Sequence, residues 1–374
     1  MKKSILALLL ALCMLMSCLA GCANTGDADG SASQPGENVT QNAEEQKEEN
    51  SPEPSAEPTE RTVVDSGGTE VTVPAQVETV MTFGSCGVIN TLIETLGCGW
   101  MIANDMSPRF SDNPAWHYQY EFAPQMAELP RYEDASGEID IENVVAADPD
   151  LIIVMQAATA ETLREKGLNV LYIDYGNGKT SDALTNSMNI LGEALGVPEA
   201  AQAYSDYIDE MVAKIADVTS PLAETDKKKV LYGNIAQYMN PHILIEWVID
   251  AAGGISCTAD IHESGSVQFT AEDVLAWNPD VIMMITDNSA DLKADAKINS
   301  VNAIANDQMF VFPTVGHFLT GSSEAPLGIL WLTYHLYPEL YTAEDLADDI
   351  YYFYDTFFGY QMSDEEIDAI INNN

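Results

Sequence analysis

IENVVAADPDLIIVM, residues 141–155, returns as AEDVLAWNPDVIMMI at residues 271–285. Glu, Val, Ala, Pro, Asp and Ile keep their order, and Pro149 and Pro279 stand 130 positions apart. Each copy reads as a short helix, a Pro-Asp break that ends it, and an apolar run. A spacing this wide exceeds the roughly 20–50 residues of a solenoid unit. It predicts two lobes, each carrying one copy.

Outward from the two copies the same pattern continues. VETVMTFG, DLIIVM and NVLYIDYG come first, then VLYGNI, VIMMI and MFVFP, all apolar without alternation. Strands covered on both faces look like this, and helical stretches separate them, so the class is α/β with parallel sheets. RTVVDSGGTEVTVP, residues 61–74, reads as a hairpin turning on Asp65-Ser66-Gly67-Gly68. Between the copies lies a long helical pattern entered through Pro198. Its Ala201, Tyr204, Ile208, Met211, Val212 and Ile215 recur at three- and four-residue steps.

The chain has 374 residues, a formal net charge of −44 and a pI near 4.1. That length admits two domains of ordinary size, and that charge repels phosphate backbones, so nucleic acid is excluded as a partner. Lys2 and Lys3 precede the apolar SILALLLALCMLMSCLA, which closes on LAGC. The segment reads as a signal peptide over residues 1–22, and LAGC resembles a bacterial lipobox. Cys22 would then receive the lipid, holding the chain at the extracytoplasmic face of the cell membrane without spanning it. An ordinary secretory signal is the alternative. Residues 23–60 are rich in Ser, Pro, Glu and Gln, and read as a disordered acidic tether. Cys86, Cys98 and Cys257 remain beyond Cys22, with no C-x-x-C or zinc spacing. Three buried thiols are expected, with one disulfide as the alternative.

Taken together, the lipobox, the hairpin, the doubled E-x-V-x-A-x-x-P-D block and the ending LWLTYHLYPELY…FYDTFFGYQMSDEEIDAI resemble a known family. It is that of ABC-transporter substrate-binding proteins for iron–siderophore, haem and cobalamin complexes, and the likeness covers about residues 61–372. It implies two α/β sandwich lobes joined by one long interdomain helix, with ligand in the cleft between them. The lobes would occupy residues 61–196 and 220–374, and the helix residues 197–219. The resemblance also implies that a Glu on each lobe docks against arginines of a permease dimer served by its own ATPase. By motif position these are Glu142 and Glu272. Both are equally ordinary first-turn glutamates of short helices. The binding protein itself would be a monomer with no intrinsic cofactor.

Ligand-facing residues should come from loops at the carboxyl ends of strands. In the first lobe these are Ser85, Arg109, Trp116, His117, Tyr118, Gln156 and Tyr175. In the second they are Asn234, Tyr238, Gln268 and His317. Arg109 and Arg131 are the arginines in such loops, too few to clamp a trianionic catecholate. Aromatics and amides suit a neutral or weakly charged complex instead: a hydroxamate siderophore, a corrinoid or haem. His117 or His317 could ligate haem iron, or join carboxylates around a bare metal ion. Trp116 and Tyr118 could stack on ligand or pack beneath a lid. H-E-x-x-H, G-x-S-x-G, P-loop and G-x-G-x-x-G signatures are all missing, so no enzyme is expected. Two other readings stay open: a binder of a bare metal ion or an oxyanion such as molybdate, and a surface sensor without a transport role.

Overall fold

The computed structural model describes residues 59–116, 118–313 and 322–372. The expected signal, most of the tether, Cys22, His117 and His317 lie outside the described residues. Strands β1 (Glu60–Val64) and β2 (Glu70–Pro74) form the expected antiparallel hairpin. Asp65 shapes its turn by accepting the N–H groups of Gly67 and Thr69 at 2.9 and 2.8 Å. Gly68, at φ +80°, closes it. Arg164 pairs with the same carboxylate and ties the hairpin to the first lobe.

That lobe runs β3 (Val80–Phe83), α1 (Cys86–Thr95), α2 (Ile141–Ala147), β4 (Leu151–Val154), α3 (Ala157–Arg164), β5 (Val170–Tyr172) and α4 (Asp182–Leu195). Its sheet has the order β3-β4-β5, all parallel, with Val80 opposite Leu151 and Ile152 opposite Val170. Every residue of β3 and β4 is buried, as non-alternating strands require.

Helix α5 (Pro198–Thr219) follows, with Pro198 at its start. Its 22 residues span about 33 Å. Ala201, Tyr204, Ile208, Met211 and Ile215 are buried along one stripe. Gly192 lets α4 approach it closely, since a Cβ there would sit 2.6 Å from that of Ala201.

The second lobe contains β6 (Lys229–Gly233), β7 (Met239–Asn240), α6 (Leu244–Ala251), β8 (Ile255–Ser256), β9 (Val267–Gln268), α7 (Ala271–Trp277), β10 (Val281–Met284) and β11 (Met309–Val311). Its parallel sheet has the order β11-β10-β6-β8, and β7 pairs antiparallel with β9 beside it. The two copies of the repeat thus enter two separate sheets, through β4 and β10.

The repeated Pro-Asp has a structural role in both lobes. The helices α2 and α7 end at left-handed Asp148 and Asn278, with φ of 50° and 46°. Pro149 and Pro279 are buried behind them. Asp150 then accepts the N–H groups of Glu78 and Thr79, both at 2.9 Å, while Asp280 accepts that of Lys229 at 3.0 Å. Each aspartate therefore clasps the start of the neighbouring strand, rather than merely turning its own chain. Burial opposes ionisation of Asp150, but the amides of Glu78 and Thr79 prevail and hold its pKa below the usual range.

Helices α8 (Ala325–Leu336), α9 (Ala343–Phe358) and α10 (Asp364–Asn372) close the chain. Contacts of these closing helices reach back to the first lobe. Phe358 stacks on Phe122 of the first lobe at 4.4 Å, and Tyr118 donates to Glu366 at 2.9 Å. The last two helices therefore brace the first lobe, and one apolar core runs from Val63 to Ile371. Cys86, Cys98 and Cys257 are free thiols, the first two buried and Cys257 half-buried. Among the described residues no helix is long and apolar enough to cross a membrane.

Candidate functional site

The carboxyl end of β3 delivers the chain to Gly84 and Ser85 at the mouth of α1. Ser85 occupies the cap position but its side chain makes no capping bond. The N–H of Gly84 instead donates to Oε2 of Glu133 at 2.8 Å. Glu133 is only 3% exposed. Burial pushes its pKa up, and the Gly84 amide and the charge of Arg109 only moderate that. Gly87 makes room for Phe110, because a Cβ there would lie 2.4 Å from the ring. Phe110 in turn carries Arg109, whose guanidinium sits 5.8 Å from the ring centroid. Trp116 meets Phe110 edge-on at 5.4 Å and packs with Cys86 and Met106 in a small buried cluster.

Arg131 is committed elsewhere. It pairs with Asp105 and donates through Nε to the carbonyl of Met106 at 2.6 Å, while Tyr120 donates to Asp105 at 2.7 Å. This network fixes the segment between α1 and α2. A depression of about 640 Å³ opens beside it, lined by Arg131, Glu133, Asp134 and Asp140 among others, all of the first lobe.

Several residues expected at the ligand are engaged within the fold in this conformation. Tyr118 is 2% exposed and wedged among Phe122, Tyr354 and Tyr360. Tyr175 is buried and donates to the carbonyl of Ser322 at 2.6 Å. Neither offers an open face in this conformation. Trp116 is likewise buried. Tyr238 is half-buried and donates to Asp295 at 3.1 Å. By contrast, Arg109, Gln156 and Gln268 are exposed, and Ser85 and Asn234 are half-buried. Gln156 follows β4 and Asn234 follows β6, so both lie at strand ends as expected.

The lobes meet along a polar seam beneath these loops. Thr95 of α1 donates to Ser323 Oγ at 2.7 Å, and Tyr204 of α5 donates to the Ser323 carbonyl at 2.7 Å. Glu94 is fully buried beside this seam, and burial, then the charge of Glu324, pushes its carboxyl well above the usual range. Lys179, in the loop after β5, reaches the carbonyl of Ala259 at 2.9 Å.

In the second lobe a buried network supports the loop between β8 and β9. Oε1 of Glu246 accepts from Thr258 at 2.7 Å and lies 2.7 Å from Nδ1 of His262, whose Nε2 meets the Gly265 carbonyl at 2.7 Å. Both imidazole nitrogens are thereby occupied, so His262 pins a loop. His242 nearby has its pKa lowered by burial and by His262. Among the described residues no group of three or more His, Cys, Asp or Glu could hold a metal ion. Sequence reading missed Glu133 as a member of the first-lobe site. Nothing local marks it, since its partners Gly84 and Arg109 are distant along the chain.

On the outer surface, Glu142 and Glu272 occupy the second positions of α2 and α7, both exposed. Asp140 caps α2 by accepting from Asn143, and Thr270 and Asp273 form a reciprocal capping box on α7.

Known proteins resemble this chain in sequence and in fold. A cobalamin-binding protein of Halobacterium salinarum is 29% identical over 171 residues, 44% of this chain and 45% of the relative. The chain therefore matches a little under half the length of that curated relative. A periplasmic solute-binding protein of Veillonella parvula superposes with a TM-score of 0.68 at 22% identity, covering 84% of this chain and 99% of that one. The molybdate periplasmic binding protein MolA of Haemophilus influenzae gives 0.67 at 18% identity, covering 81% and 99%. At such identities the likeness is one of fold. The family described as periplasmic binding protein matches residues 113–315, which run from the Trp116 loop through the connecting helix to the end of the second sheet. Over half the chain fits that pattern on a fold of the same kind, and the chain belongs to the periplasmic binding protein family.

Proposed function

We propose that this chain is the extracytoplasmic capture component of an ABC importer, anchored through Cys22, and that its cargo is a neutral or weakly charged metal–organic complex. A corrinoid is the first choice, ahead of haem and hydroxamate siderophores. The state of the four arginines carries this reading. Arg61 is bound to the Ala194 carbonyl, Arg131 to Asp105 and Arg164 to Asp65. Arg109 alone of the four forms no ion pair or hydrogen bond among the described residues, although the charge of Glu133 lies near it. One cation can orient a ligand by a single carbonyl or phosphate, but it cannot neutralise a trianion. Exposed amides at Gln156 and Gln268, with Asn234 and Ser85, match a ligand rich in amide groups. The relative named as a cobalamin-binding protein favours the same class. Glu142 and Glu272 then dock the loaded protein on the permease.

The test is a titration of the mature chain with cyanocobalamin, haemin, a ferric hydroxamate, a ferric catecholate and molybdate, followed by tryptophan fluorescence and native mass spectrometry. Cyanocobalamin should bind with a Kd of about 1 µM or tighter, in a one-to-one complex. Arg109→Gln should weaken it about tenfold without changing Tm. Tight catecholate or molybdate binding with no corrinoid complex would overturn the proposal.

A further inference from the structure

We infer that Val145 and Leu275 are the apolar contacts of a two-point docking surface, each set beside its glutamate and each seated in one subunit of a two-fold symmetric membrane partner. The inference rests on the docking reading above and adds to it a second chemistry at each point. Val145 is 43% exposed and Leu275 is 44% exposed. They stand at equivalent places in the repeat, with the same offset as Pro149 and Pro279. Among the described residues no other two exposed large apolar side chains share that offset. Single exposed hydrophobic residues are ordinary and call for no explanation. A matched pair, one on each copy, is different.

Each apolar side chain follows its glutamate by three residues, so the two share a helix face. The opposite face of each helix is committed to the core through Val144 and Val274, both fully buried. The helices cannot roll to hide the exposed residue. Side-chain caps hold their starts, left-handed Asp148 and Asn278 fix their ends, and Asp150 and Asp280 clasp neighbouring strands. Glu142 and Glu272 form no ion pair among the described residues. A chain of net charge −44 has little positive charge to offer them, so the complement is cationic. Each point is thus a carboxylate next to an aliphatic side chain on a rigid helix. The occupant that fits two such points is a homodimeric permease presenting, twice, a basic side chain beside an apolar depression.

The experiment measures docking of the mature chain on its permease–ATPase complex in nanodiscs. Val145→Ser with Leu275→Ser, and separately Glu142→Ala with Glu272→Ala, should each weaken docking at least about tenfold, equivalent to about 1.4 kcal/mol. Tm should not change. Should the serine pair lower Tm, Val145→Thr with Leu275→Gln, which preserve bulk, replaces it. Normal docking by the serine or Thr/Gln pair, alongside failure of the alanine pair, overturns the apolar contacts and leaves the docking reading standing. Normal docking by both pairs, or none by the wild type, removes the docking reading and this inference with it.

Discussion

Replacing His335 with leucine should abolish a pH dependence of stability that the native chain carries between pH 6.5 and about 4. The ring lies against Trp331, Phe310 and Tyr334, with centroids at 4.0, 4.3 and 4.9 Å. Its Nε2 is buried and has no hydrogen-bond partner among the described residues. Burial pulls the imidazole from 6.5 down to about 4, so the folded state holds it neutral. The unfolded chain binds a proton near 6.5 instead, and below that pH it gains a proton that the fold refuses. This contribution is therefore complete above pH 6.5 and drains away as the pH falls to about 4. At about 1.4 kcal/mol per pH unit the gap is worth about 3 kcal/mol, and about 2 once the ring's partial exposure is allowed for. Urea unfolding of both proteins from about pH 7 to about pH 4.5 reads it as the difference between the two curves. The difference cancels the contributions of the other titratable groups, which both proteins share. Leucine should gain on histidine by about 2 kcal/mol across that window. Parallel curves would refute the reasoning, and would mean that the aromatic faces stabilise the imidazolium as well as water does.

Three further outcomes follow from contacts within the fold. Gly233→Ala should cost at least about 3 kcal/mol. Gly233 sits at φ +141°, and a Cβ there would meet the Met239 carbonyl oxygen at 2.2 Å; an unchanged urea midpoint would contradict this. Asp65→Asn should cost about 2–3 kcal/mol near neutral pH, because it strands the Arg164 guanidinium and weakens the hairpin turn. Burial raises the Asp65 pKa, but Arg164 and the turn amides outweigh it and hold it below 3.8, so the native advantage is whole above that value and fades as pH falls further. Thermal melts at pH 7 and pH 3 should show the mutant and native chains converging in acid. Tyr118→Phe should cost about 1–2 kcal/mol and speed amide exchange in α10, leaving ligand affinity untouched. Loss of affinity would return Tyr118 to the ligand site.

Most of the fold was legible because its signals are local. Unbroken apolar runs gave the parallel strands, and the spacing from Ala201 to Ile215 gave the connecting helix. Asp-Ser-Gly-Gly gave the hairpin turn, whose chemistry depends on neighbours a few residues away. The site was far less legible, because its side chains are assigned by distant partners. Tyr118 lies in a loop whose composition suits ligand stacking, yet its hydroxyl is claimed by Glu366, 248 residues later. Tyr175 is taken by Ser322, and Arg131 by Asp105. No pattern in NPAWHYQY or LYIDYG reveals that the closing helices fold back across the first lobe. For the same reason neither Glu133 nor the reach of the closing helices has a local signal.

The repeat itself separates what the fold uses from what it does not. Both copies keep an inward valine, a buried proline and an aspartate, and the fold employs them. Val144 and Val274 fill cores, while Asp150 and Asp280 secure adjacent strands. Glu142 and Glu272 have no such internal role among the described residues, and Asp140 and Thr270 already cap the two helices. A favourable helix dipole explains an acidic residue in the first turn, worth about 0.3–1 kcal/mol when exposed. It does not explain why an exposed aliphatic residue stands one turn further on in both copies, since exposing it stabilises neither lobe. What two lobes repeat without using internally is best understood as addressed to something outside that is itself doubled.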